Sequence, residues 1–159
     1  MSVSGRWWIV RRYLVVANQT LGGEELWVAI RERIAGGDCH FHLLVPATPA
    51  AQLDPGFSGE AEEGGRPEED LGRQLARRRM RHELDRMREL GASVSGEIGV
   101  ADPVDAVRVV LHRWEFDEVI VSTLPGRRSR WLAADLPTKI RRGFKLQVTQ
   151  VTGATVAKG

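Results

Sequence analysis

Short runs of β-branched residues alternate with stretches whose apolar residues recur every three or four positions, and this alternation restricts the fold more than any other feature of the chain. Residues 13–17 (YLVVA) read as a buried strand, followed by the polar loop Asn18, Gln19 and Thr20. Over 24–34 the positions of Leu26, Ala29, Ile30 and Ile34 predict a helix, stopped by Gly36-Gly37. A second strand falls at 40–45. After it, 46–69 is rich in Ala, Pro, Gly and acids without periodicity and is expected to be a mobile loop. The longest helix is expected over 70–90, with Leu71, Leu75, Leu84 and Met87 on one side, Arg73, Arg77, Arg78, Arg79, Arg81, Arg86 and Arg88 elsewhere, and Gly91 as its stop. Residues 93–100 make a third strand, and Asp102-Pro103 opens a helix whose inward stripe is Val104, Val107, Val110, Leu111 and Trp114. A fourth strand at 118–122, a loop at 123–131, a ridge of Leu132, Leu136, Ile140 and Phe144, and a last strand at 147–152 complete the pattern.

Strict β-α alternation of this kind argues for an α/β fold: a parallel sheet with helices on both faces, because right-handed crossovers place the intervening helices there. Its 159 residues suit one such domain, expected over 12–153 between an N-terminal extension (1–11) and a C-terminal tail (154–159). The single cysteine, Cys39, excludes an intrachain disulfide and reads as a structural thiol of a strand. The run WWIV is cut off by Arg11 and Arg12 short of a signal-peptide apolar region, and no later stretch has the length of a membrane span, so a cytoplasmic protein is expected. Ligands of doubly wound sheets bind outside the carboxyl ends of the strands where strand order reverses, which points to the loops after the first and fourth strands.

At those two loops the chain resembles the universal stress protein family. That family's first strand ends in V-P-x-D-x-S, with the Asp near the adenine; here V-V-A-N-Q-T puts Asn18 at the Asp position and Thr20 at the Ser position. Ala101-Asp102-Pro103 is similar to the family's entry into the third helix, and DEVIVST (117–123) to its D-x-I-V-M-G-S strand. The resemblance implies a three-layer α/β/α sandwich, Rossmann-like, with five parallel strands in the order 3-2-1-4-5, a homodimer through the last strand with Val148 and Val151 on its edge, and a bound adenine nucleotide such as ATP, with Mg²⁺. It breaks at G-x2-G-x9-G-[ST], whose glycines let backbone N–H groups approach phosphate at a helix N-terminus. Ser122 and Pro125 fall on the first two glycines, and Asp135 and Leu136 on the last two positions. Asp135 is a good N-cap that would set a carboxylate on the amides otherwise given to phosphate, and Pro137 removes one donor there. Arg127, Arg128 and Arg130 stand just before and can bind phosphate without a glycine cradle.

The reading expected from these residues is a regulatory or binding domain that takes an adenine nucleotide or another small anion in an altered cleft. Asn18 and Thr20 would face the adenosine end, and Ser122, Thr123, Arg127, Arg128 and Ser129 the anion. The alternative is a nucleotide-free, dimeric protein-interaction module whose phosphate site Asp135 and Pro137 close. Other features read as structural. His40 and His42 share one face of a strand with no third metal ligand nearby in sequence, and neither His82 nor His112 has a Ser, Cys or acid at a spacing that suggests a nucleophile and base. The acidic pairs suit helix starts and loops. The arginine run is interleaved with Glu83, Asp85 and Glu89 and lacks aromatic platforms, which reads as a solvated face rather than a nucleic-acid surface. Of the five tryptophans, Trp7 and Trp8 precede the first strand, and Trp131 neighbours the altered loop.

Overall fold

The computed structural model describes residues 10–18, 20, 21, 23–47, 67–123 and 136–153. Within them run β1 (Arg11–Val16), α1 (Glu24–Ala35), β2 (Cys39–Pro46), α2 (Pro67–Glu89), β3 (Ser93–Gly99), α3 (Pro103–Arg113), β4 (Glu118–Thr123), α4 (Leu136–Phe144) and β5 (Gln147–Thr152). The strands form one sheet in the order β3-β2-β1-β4-β5, every pair parallel. The expected order is therefore the observed one. Trp7, Trp8, Gln19, the loop stretches 48–66 and 124–131, Leu132, Asp135 and the tail 154–159 lie outside the described residues.

Period-two alternation splits each central strand between two cores. Tyr13, Val15, Phe41, Leu43, Val45 and Ile120 face α1 and α2, where Leu26, Trp27, Ile30, Ala76, Leu84 and Met87 meet them. Leu14, Val16, Leu44, Val119 and Val121 face α3 and α4 and pack on Ala106, Val107, Val110, Leu136 and Ile140. Both faces being covered, β1 and β4 carry continuous apolar runs rather than alternating ones, and Leu14, Val15, Val16, Val119, Ile120 and Val121 are all fully buried.

Several boundaries differ from those expected. α2 begins at Pro67 rather than at position 70; proline suits a first turn because its missing N–H has no intrahelical partner there. Pro46 ends β2 and Ala47 continues its pairing through an N–H to the Gly99 carbonyl at 2.9 Å, so neither belongs to a loop. Arg11 and Arg12 extend β1, because their backbone groups pair with β2 whatever their side chains do. Trp114 is not on the inward stripe of α3. It follows the helix as its C-cap in extended conformation, 47% exposed, with the Arg12 guanidinium 5.8 Å from its ring. The α2 arginines are not uniformly solvated either: Arg86 lies 4.2 Å over the buried Trp27 ring, a cation–π contact.

Val148 and Val151 turn inward to opposite cores, leaving the polar residues of β5 as its more exposed positions. β5 is an edge strand of the sheet. Cys39 is a partly buried thiol, its pKa raised by burial and by neighbouring Asp38. No described helix is long and apolar enough to cross a membrane.

Candidate functional site

The polar loop after β1 is held by backbone hydrogen bonds from Leu21 to Asn18 (3.1 Å) and from Gly23 to Thr20 (3.0 Å), which turn the chain into α1. Gly23 caps that helix without a side-chain hydrogen bond. Because β1 lies between β2 and β4, this turn sits between the carboxyl ends of both neighbours. Asn18 donates from Nδ2 to the Pro46 carbonyl at 2.7 Å, tying it to the end of β2. Ser122, at the end of β4, donates to Thr20 Oγ1 at 2.6 Å. Of the residues singled out in the sequence, Thr20 and Ser122 are thus joined across 102 positions of chain, and Asn18 is tied to Pro46 across 28.

Thr123, next to Ser122 on β4, points to the opposite face of the sheet. It lies beside Thr152, 3.5 Å away, and accepts from Gln150 Nε2 at 3.4 Å. The Gly153 N–H donates to the Thr123 carbonyl at 3.0 Å, and Glu25 of α1 presses so closely on Gly153 that a Cβ there would stand 2.6 Å from Glu25 Oε2. Arg127, Arg128 and Ser129, like Asp135, which the sequence reads as an N-cap, lie outside the described residues. Leu136 and Pro137 are buried in the first turn of α4, where proline is tolerated.

One site residue escaped the sequence reading. Arg79, in the middle of the basic run, donates from Nη1 to Asn18 Oδ1 at 2.5 Å. Burial lowers its pKa, and no carboxylate of the described residues pairs with it. An amide accepts from Arg79 what a carboxylate would otherwise accept, so the guanidinium keeps its full positive charge at this crevice. Helical periodicity puts Arg79 one position before Met80, which packs on the core beneath; that adjacency was the only signal in the sequence.

Asn18, Thr20, Ser122 and Thr123 are 7%, 3%, 2% and 1% exposed. Their hydroxyl and amide groups are engaged with one another and with backbone, and Arg79 is the group with unspent donors. Among the described residues no group of three His, Cys, Asp or Glu side chains comes close enough to hold a metal ion.

A parallel sheet of this order with polar residues at the carboxyl ends of β1 and β4 defines a doubly wound α/β domain. Among solved structures, the fold is that of universal stress proteins. The chain is similar to the universal stress protein from Archaeoglobus fulgidus (14% identity, TM-score 0.56, covering 90% of this chain and 94% of that one). It is similar to a universal stress protein family protein from Arabidopsis thaliana with AMP bound (14%, 0.56, 90% and 92%), and to a universal stress protein in complex with cAMP (18%, 0.58, 91% and 98%). No family model matches the sequence, and no curated protein does.

Proposed function

We propose that this domain is a regulatory module of universal stress type that binds an adenine nucleotide, or another small phosphate-bearing anion, in the crevice between β1 and β4. The observation that carries the reading is Arg79: a half-buried cation hydrogen-bonded to Asn18 in a crevice with Thr20 and Ser122, with no described carboxylate to neutralise it. Desolvated arginine is a strong hydrogen-bond donor to phosphate oxygens. Arg127, Arg128 and Ser129 follow the end of β4 in sequence and would extend the same anion-binding end. The AMP and cAMP bound by two structures of the same fold support the choice of ligand class.

A second reading draws on the burial of the crevice. With Ser122 spent on Thr20 and Asn18 on Pro46, the ligand's place is filled from within. That favours a nucleotide-free, homodimeric interaction module in which Asp135 and Pro137 close the phosphate end. Thermal unfolding with millimolar AMP, and with millimolar ATP and Mg²⁺, separates the two. A ligand at a hundred times its Kd stabilises the native state by about 2.7 kcal/mol. The first reading expects a rise in Tm with nucleotide, reduced in Arg79→Gln and in the double variant Arg127→Ala, Arg128→Ala. An unchanged Tm for the wild-type protein selects the second, and with it a dimer that nucleotide does not affect in sedimentation.

A further inference from the structure

The parallel register of β2 and β3 sets His40 opposite Ser93 and His42 opposite Ser95. On the α3 side of the sheet these residues form one unbroken chain of hydrogen bonds. Ser93 Oγ meets His40 Nδ1 at 2.7 Å, His40 Nε2 meets Ser95 Oγ at 2.8 Å, and Ser95 Oγ meets His42 Nδ1 at 2.7 Å. His42 Nε2 meets Glu97 Oε2 at 2.7 Å, and Arg113 Nη2 donates to the other Glu97 oxygen at 2.5 Å.

Donor and acceptor counting gives this chain a direction. Glu97 accepts from Arg113 on one oxygen and from His42 Nε2 on the other, so the neutral His42 ring has its proton on Nε2 and a lone pair at Nδ1. Ser95 must then donate to His42 Nδ1. Having spent its one proton, Ser95 accepts from His40 Nε2, and Ser93 donates to His40 Nδ1. Burial first, then the charge of Arg12, lowers the His40 pKa. Ser95 is therefore a hydroxyl whose proton points at an imidazole that a carboxylate orients from behind, and its oxygen receives a second hydrogen bond that stabilises developing negative charge.

We propose that Ser95 is a nucleophile with His42 as its general base and Glu97 as the residue that orients the base, acting on small carboxylic esters. β3 is an edge strand, and the alternation that points the Gly99 carbonyl at Ala47 turns the Gly96 N–H away from β2 and along the open edge. A backbone donor thus follows the nucleophile in sequence, as electrostatic stabilisation of an oxyanion requires. In the step itself Ser95 Oγ bonds to the ester carbonyl carbon as its proton passes to His42. The carbon–oxygen bond to the alcohol then breaks and the alcohol leaves with that proton. Water, deprotonated by His42, cleaves the acyl-serine, returning the proton to Ser95 and releasing the acid.

The test is reaction of the full chain with a fluorophosphonate, in which the serine oxygen displaces fluoride from phosphorus, read by mass spectrometry and peptide mapping alongside hydrolysis of p-nitrophenyl acetate. The proposal expects one adduct, on Ser95, abolished in Ser95→Ala and slowed at least tenfold in His42→Asn and in Glu97→Gln, with Glu97→Asp recovering part of the rate. Glu97→Gln can donate to His42 Nε2, which reverses the tautomer while keeping the shape, so it separates orientation of the base from mere packing; circular dichroism verifies that each variant is folded. If the folded wild-type protein takes no adduct at Ser95, or if Glu97→Gln reacts at the wild-type rate, the chain is only a structural tie between β2 and β3.

Discussion

Glu118 begins β4 almost fully buried, at 6% exposure, and keeps its charge because Arg33 of α1 grips both its oxygens, Nη2 at 2.7 Å and Nε at 3.2 Å, while Thr149 donates to it from β5. Burial alone would raise its pKa; the hydrogen bonds from Arg33 and Thr149 and the charges of Arg33 and Arg11 outweigh it and hold the carboxyl below the ordinary value. A depressed carboxyl contributes stability that is present above its unfolded pKa and lost as pH falls through the folded one. Arg33→Met should therefore cost about 3–5 kcal/mol near neutral pH by leaving the charge uncompensated, with the gap to wild type narrowing in acid; urea unfolding at pH 7 and pH 3 measures both. Glu83 behaves oppositely. Burial raises its pKa more than Arg86 and His82 lower it, so its ionised form is disfavoured in the fold and its contribution is lost as pH rises. Glu83→Gln should raise Tm at neutral pH and leave it unchanged in acid. The sequence identified neither carboxylate as special, because Glu118 opens an apolar run and Glu83 sits among arginines; only packing gives one a bidentate partner and buries the other.

Among the elements, α3 is where local and tertiary signals part. Asp102 accepts from the amides of Val104 and Asp105 at 2.9 and 3.1 Å, and Pro103 follows it, a start signal legible from the two residues alone. Asp102→Ala should lower stability by about 1 kcal/mol. The helix end was not legible, since Trp114 continues the helical spacing but Phe116 instead reaches the core. Seating of α3 on the sheet depends on Gly99, where a Cβ would stand 2.7 Å from Ala106 Cβ and 3.0 Å from Leu44 Cδ1. Gly99→Ala should cost about 1–3 kcal/mol by overpacking, detectable as a lower denaturation midpoint with an unchanged slope.

For the molecule as a whole, the sheet divides stability between two cores that share β1 and β4. Ile120, fully buried in the centre, should cost about 2–5 kcal/mol on truncation to alanine, whereas Val109, 52% exposed on α3, should stay within about 0.5 kcal/mol; parallel thermal melts compare them. The apolar runs of β1, β2 and β4 and the helical ridges between them were readable because continuous burial leaves a continuous pattern, and they determined an α/β domain with a parallel sheet. The strand order came only with the resemblance, since periodicity says nothing about which strands are neighbours. Asn18, Thr20 and Ser122 could be proposed from the places of their loops, but Arg79 could not, and neither could the pairing of Ser95 with His42 and Glu97. Those contacts join residues 61 and 53 to 55 positions apart, and a helix face or a strand register brings them into reach only after the chain has packed.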